Sequence, residues 1–224
     1  GDRGIPLEAN EAHHWGLRDA HDAIYVAASY LAAYNAKKMG VKQYVAQYMF
    51  NLPPSESPKM DIAKMFASIE MVESLHDENF MTFRQARAGL ASFPTDLFMA
   101  KGQLAASCYT AMAIKPHIYH VVGFCEAHHA ATPDDVIESA RIARGVIKDY
   151  MQGAPDVASD IEIMNRKDEL VSQAQIILDG IRVIGRDSKD PLSDPSVIAD
   201  AIRMGILDAP HLKGNIAANG SIKT

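Results

Sequence analysis

Four short apolar segments recur along the chain about every 35–40 residues, each followed by a longer stretch of helical periodicity. That interval is the length of one βα unit, and it constrains the fold more than any other feature. The segments cover residues 5–10, 43–51, 79–84 and 117–124. The second reads Gln-Tyr-Val-Ala-Gln-Tyr-Met-Phe-Asn and stops before Pro53-Pro54; the fourth reads His-Ile-Tyr-His-Val-Val-Gly-Phe. Neither alternates apolar with polar, which is the pattern of a strand covered on both faces.

Between them lie predicted helices over residues 15–39, 58–75, 97–114 and 133–150, with two more over 161–184 and 194–204. Gly40 stops the first. Ile62, Met65, Phe66, Ile69 and Val72 form one stripe on the second. The fourth opens with Thr132 as N-cap, Pro133 at the first helical position and Asp134-Asp135 in the first turn. Asp194-Pro195 repeats the cap-and-proline signal.

The predicted fold class is α/β: an incomplete (β/α) TIM-type barrel of about four parallel units plus C-terminal helices. A small doubly wound sheet uses the same units and is the alternative. Residues 1–152 are expected to form the C-terminal half of a barrel, 153–210 a helical extension, and 211–224 a tail or linker.

Composition narrows the partners. With 22 Lys plus Arg against 28 Asp plus Glu the net charge is −6, which argues against a nucleic-acid backbone as ligand. Two cysteines exclude a disulfide framework and fit a reducing compartment, so the expected location is the cytoplasm. No apolar run reaches the roughly 20 residues of a membrane helix. The opening Gly1-Asp2-Arg3-Gly4 reads neither as a secretory signal nor as a natural start.

In a βα fold, functional groups gather at the carboxyl ends of the strands. The first offers Glu8, Asn10, Glu11 and His13-His14; the second Gln47, Tyr48 and Asn51; the third Arg84 and Arg87; the fourth Cys125, Glu126 and His128-His129. This mixture suits a small, charged, hydrogen-bonding ligand. Each group also has a plainer role: surface pairing for the arginines, core packing for Tyr44 and Tyr48, and burial without activation for Cys108 and Cys125. Neither HExxH nor CxxC occurs, so no metal site is expected, and no glycine-rich phosphate loop is present.

Several blocks carry a family resemblance. They are Glu8-Ala-Asn-Glu-Ala-His-His-Trp15, Gln47-Tyr-Met-Phe-Asn51, Lys59-Met-Asp-Ile-Ala-Lys-Met65, Phe83-Arg-Gln-Ala-Arg-Ala-Gly89, Cys125-Glu-Ala-His-His-Ala-Ala-Thr-Pro-Asp134 and Ala201-Ile-Arg-Met-Gly-Ile-Leu-Asp208. Together they resemble the barrel domain of the adenosylcobalamin-dependent aminomutases of D-ornithine and lysine. A fainter similarity reaches the large subunit of glutamate mutase, at Phe93-Pro-Thr-Asp96, Ala100, Gly102 and Glu126-Ala127.

The resemblance implies radical chemistry. In that family adenosylcobalamin lies across the carboxyl-end mouth of the barrel, and pyridoxal phosphate holds the substrate amine while the amino group moves to the neighbouring carbon. By position, Glu126 resembles the carboxylate that binds the adenosyl ribose. Tyr48 and Asn51 resemble residues near pyridoxal phosphate or substrate. Asn10, Arg84 and Arg87 resemble those that hold the substrate carboxylate or the phosphate. The family's cobalamin-binding Asp-x-His-x-x-Gly is not matched, since Asp19-Ala-His21 is followed by Ile24 in place of glycine. The cobalamin-binding domain and the pyridoxal lysine are therefore expected on other segments or subunits, and this chain alone is expected to be inactive. Open barrel edges predict a homo-oligomer. The alternatives are a glutamate-mutase-like isomerase without pyridoxal phosphate, and a non-catalytic accessory half barrel.

Overall fold

The computed structural model describes residues 4–222, so Gly1-Asp2-Arg3 and Lys223-Thr224 lie outside it. Strands β1 (Leu7–Ala9), β2 (Gln43–Phe50), β3 (Met81–Ala88) and β4 (Ile118–His120) form a parallel sheet in the order β1-β2-β3-β4. Helices α1 (Glu11–Gly16), α2 (Asp22–Lys38), α3 (Pro58–Glu73), α4 (Leu97–Ala111), α5 (Pro133–Met151), α6 (Ile161–Ile184) and α7 (Pro195–Arg203) complete the α/β architecture. Among the described residues, no helix is long and apolar enough to cross a membrane.

The strands lie side by side in sequence order, as the βα pattern predicts, but their lengths differ. The two central strands have eight residues each and the two edge strands three. An edge strand has one neighbour, so pairing ends as soon as that neighbour's register runs out. Gln85, Ala86 and Arg87 pair with Ile118, Tyr119 and His120, and β3 stops one residue later. The expected fourth strand over 117–124 is thus cut to three residues. The third expected strand, 79–84, is displaced: β3 runs on to Ala88 because alternate small residues, Ala86 and Ala88, are fully buried on one face.

The predicted helix over 15–39 is two helices. The chain breaks after α1, with Asp19 in the left-handed region at φ 56°. His21 then caps α2, its Nδ1 accepting from the Ala23 N–H at 3.2 Å.

The chain divides into two compact units. One comprises the described residues of 1–46, 64–82 and 165–224; the other comprises 47–63 and 83–164. In the first, Leu170, Ala174, Leu178 and Ile181 form a fully buried stripe on α6. They join Ile24, Ala27 and Leu31 of α2 and Val197 and Ala201 of α7 in one core. Lys64 of α3 is buried there too, 3.5 Å from Asp22 and over the Tyr25 ring.

The tail is not a free linker. Asp208 is fully buried, and its carboxylate accepts the backbone N–H groups of Ala209, Gly220, Ser221 and Ile222 at 2.7–3.2 Å. Gly220 makes the closest turn there, with φ 61° and only 1.9 Å between a hypothetical Cβ and the Lys213 nitrogen. Burial pushes the Asp208 carboxyl up, but these donors outweigh it and hold it below the ordinary carboxylate value.

In the second unit, Ala88, Phe93, Ala100, Leu104, Val122, Phe124 and Cys125 form the core. Ala88 therefore marks the face of β3 that packs on α4.

Candidate functional site at the strand ends of the second unit

β2 ends at Phe50, and the next residue, Asn51, has a left-handed backbone at φ 59°, a conformation asparagine tolerates better than most residues. Three groups hold it there. Its N–H donates to Asp61, buried in the first turn of α3. Its Oδ1 accepts from the Ser107 hydroxyl of α4. The end of β3 presses on its carbonyl: a Cβ on Gly89 would meet the Asn51 oxygen at 2.9 Å and the Phe50 oxygen at 3.0 Å. Gln103 extends the network, reaching Ser107 at 3.3 Å and Ser92 at 3.4 Å, and Ser92 donates to the Gly89 carbonyl at 2.7 Å. With Oδ1 occupied, Asn51 keeps its two Nδ2–H donors for a ligand.

Arg84 and Arg87, paired in the sequence reading, separate. Side chains alternate along a strand, so Arg84 shares the face of Ala88 and Arg87 lies on the other with Gln85. Arg84 sits mid-strand, not at the carboxyl end expected for it. Its Nη1 donates to the Ile114 carbonyl at 2.8 Å, and its N–H donates to the His117 ring at 3.0 Å. Arg87 stands next to the end of β3 and is half-buried.

Tyr48 shares its face of β2 with Tyr44 and Phe50, opposite Gln47 and Met49, and is 1 % exposed. It is a buried residue two positions short of the strand end, where the sequence reading had it beside Asn51. Asn10, in the first unit, is exposed and precedes α1; its side chain makes no capping bond.

Beyond β4 the chain makes a turn over residues 124–128. The Cys125 carbonyl accepts from the N–H of His128 at 2.8 Å and of His129 at 3.0 Å. The Phe124 N–H donates to Ser139 of α5 at 3.1 Å, fastening the turn to that helix. Glu126 rides on this turn, exposed, and its carboxylate has no hydrogen bond or ion pair among the described residues. After it, Thr132 and Asp135 form the reciprocal cap of α5 that the sequence announces in part. The cap and His129 hold the Asp135 carboxyl down to about 2.

Both cysteines are buried and unpaired. Burial pushes the Cys108 thiol up to about 11, and burial with the nearby Asp135 and Glu126 carboxylates also raises the Cys125 thiol. Neither environment activates a nucleophile. Asp61, Gln103, Ser107 and Asp135 were not singled out from the sequence as site residues. Only Asp135 carried a local signal, its place three residues after Thr132. No protein-family model matches the chain, and no curated protein matches it.

Proposed function

We propose that the chain is part of the βα barrel of an adenosylcobalamin- and pyridoxal-phosphate-dependent aminomutase, acting on a diamino acid such as D-ornithine. The observation that carries the reading is Glu126: an unpaired, exposed carboxylate on a turn fastened to α5. It belongs to one of the segments that resemble the aminomutases. Two other family-like blocks end one residue beyond β2 and β3, at Asn51 and Gly89. Strand ends are where βα folds bind ligands.

The residues present fit the two groups. Glu126 is placed to accept hydrogen bonds from two ribose hydroxyls, as a carboxylate with both oxygens free can. Asn51 offers its Nδ2–H donors, and Arg87 a planar cation for a carboxylate or phosphate. Arg84 and Tyr48 serve the framework in this reading. Lys59, at the start of α3, is tied to Asp160 at 3.0 Å and Glu162 at 2.6 Å. As the resemblance implies, the pyridoxal lysine and the cobalamin-binding domain are taken to come from other segments. When bound, adenosylcobalamin supplies radical chemistry and pyridoxal phosphate binds the migrating amine; this chain orients both and shields them from water.

The test is the assembled enzyme, with the segments carrying the cobalamin ligand and the pyridoxal lysine, given D-ornithine and both cofactors. Nuclear magnetic resonance should show the amino group on the neighbouring carbon. Turnover of a carbon-skeleton substrate without pyridoxal phosphate would replace this reading with the glutamate-mutase-like one. No turnover of either substrate class would leave the accessory half barrel.

A further inference from the structure

Cys125, His129 and Asp135 come together although no metal motif announces them: one ligand atom from each lies within 4.8 Å of the others. The sequence spacing hides the site. Cys125 and His129 sit four residues apart on one turn, and Asp135 joins them through the cap of α5.

We propose that these three residues bind a divalent metal ion of the zinc class, with a fourth position left to water. His129 Nε2 and Asp135 Oδ2 are 3.1 Å apart. Two ligands at zinc's bond lengths of about 2.0–2.1 Å stand roughly 3.3 Å apart in a tetrahedron, so an ion set to one side of the two atoms can replace the hydrogen bond between them with little movement. The thiol has to close by up to about an ångström to reach its longer bond length. His129 is partly exposed and has room to follow.

The surroundings support each ligand. Asp135 is oriented by the Thr132 N–H at 2.9 Å and hydroxyl at 2.6 Å, both on Oδ2, which leaves Oδ1 unengaged. The far nitrogen of His129, Nδ1, is 2.9 Å from His128 Nδ1, the outer partner that fixes a ligating imidazole. Residues 125–135 carry Glu126, Asp134 and Asp135 and no lysine or arginine, so the segment's own charge favours a cation. A thiolate–imidazole–carboxylate set selects zinc over magnesium or calcium. The ion would also close the turn on both sides of Glu126. The site does not depend on the aminomutase reading.

The test uses the tag-free chain, stripped with chelator and titrated with zinc(II) against a chromophoric competitor, and with cobalt(II) for its spectrum. One equivalent should bind, protons should be released, and cobalt should give a thiolate charge-transfer band. Cys125→Ser should abolish the band. His129→Ala, at an exposed position where folding is safe, should weaken zinc by more than the roughly 10–100-fold that loss of an outer partner costs. Cys108→Ser, on α4, should change neither. No uptake by a chain with native circular dichroism would overturn the proposal, as would a band that survives Cys125→Ser or disappears with Cys108→Ser.

Discussion

The hydroxyl of Ser107, on α4, donates to Oδ1 of Asn51, the residue that follows β2. The bond joins residues 56 positions apart and sets which face of the Asn51 amide is left for a ligand. Removing the hydroxyl leaves a half-buried acceptor unpaired. Ser107→Ala should cost about 1–2 kcal/mol. Gly89→Ala attacks the same corner by overpacking and should cost about 1–3 kcal/mol, because the atoms it meets are backbone carbonyls. Urea denaturation midpoints measure both, and an unchanged midpoint for Gly89→Ala would contradict the close approach of β3 to Asn51.

The two arginines of β3 should behave differently. Arg84→Ala removes the donor to the Ile114 carbonyl and should lower stability by about 1–3 kcal/mol. In the proposed enzyme, Arg87→Ala should raise KM for an anionic substrate, whereas Arg84→Ala should leave that KM unchanged. Equal KM values in the two variants would remove the distinction.

Asp208 makes stability depend on pH in a definite direction. Its carboxyl lies lower in the folded chain than in the unfolded one, so its contribution is complete above the unfolded value of about 4. It is lost as pH falls through the folded value. Asp208→Asn presents an amide to four N–H donors and should be less stable by about 2 kcal/mol or more at neutral pH. The difference from wild type should shrink steadily below pH of about 4. A constant difference between neutral pH and the acid limb would contradict the clamp.

Self-association is expected from the two sheet edges. β1 and β4 each have one neighbour, and Ile5, Leu7 and Ile118 are exposed beside or within them. Unpaired edges of this kind recruit another strand. Sedimentation should show a dimer or larger species in the micromolar range; a monomer there would contradict it.

Much of the framework was legible because its signals are local. The caps at Thr132 and Asp194 start α5 and α7 where their sequence places them, and the apolar stripe of α6 gives its full length. The break between α1 and α2 was missed because residues 17–21 keep enough helical character to bridge two helices. The extension of β3 to Ala88 has a weak signal because Arg84, Gln85 and Arg87 interrupt its apolar pattern, although its alanine face is buried. The site was legible only in part. Strand ends pointed to Asn51, Arg87 and Glu126, but the partners that orient Asn51 come from α3 and α4. Pairings such as Asn51 with Ser107, or Cys125 with Asp135, have no spacing signature and form only when the chain folds.

In the proposed enzyme, Glu126 serves adenosine. If the proposed function holds, cobalt–carbon cleavage in the assembled enzyme on addition of D-ornithine can be followed by the loss of the adenosylcobalamin absorbance. Glu126→Gln keeps the shape and removes the charge, and charge-assisted bonds to two hydroxyls contribute about 1.5–3 kcal/mol each. Adenosylcobalamin use should be weaker and cleavage slower by at least about tenfold, with circular dichroism unchanged. Cleavage at the wild-type rate in Glu126→Gln would contradict this role.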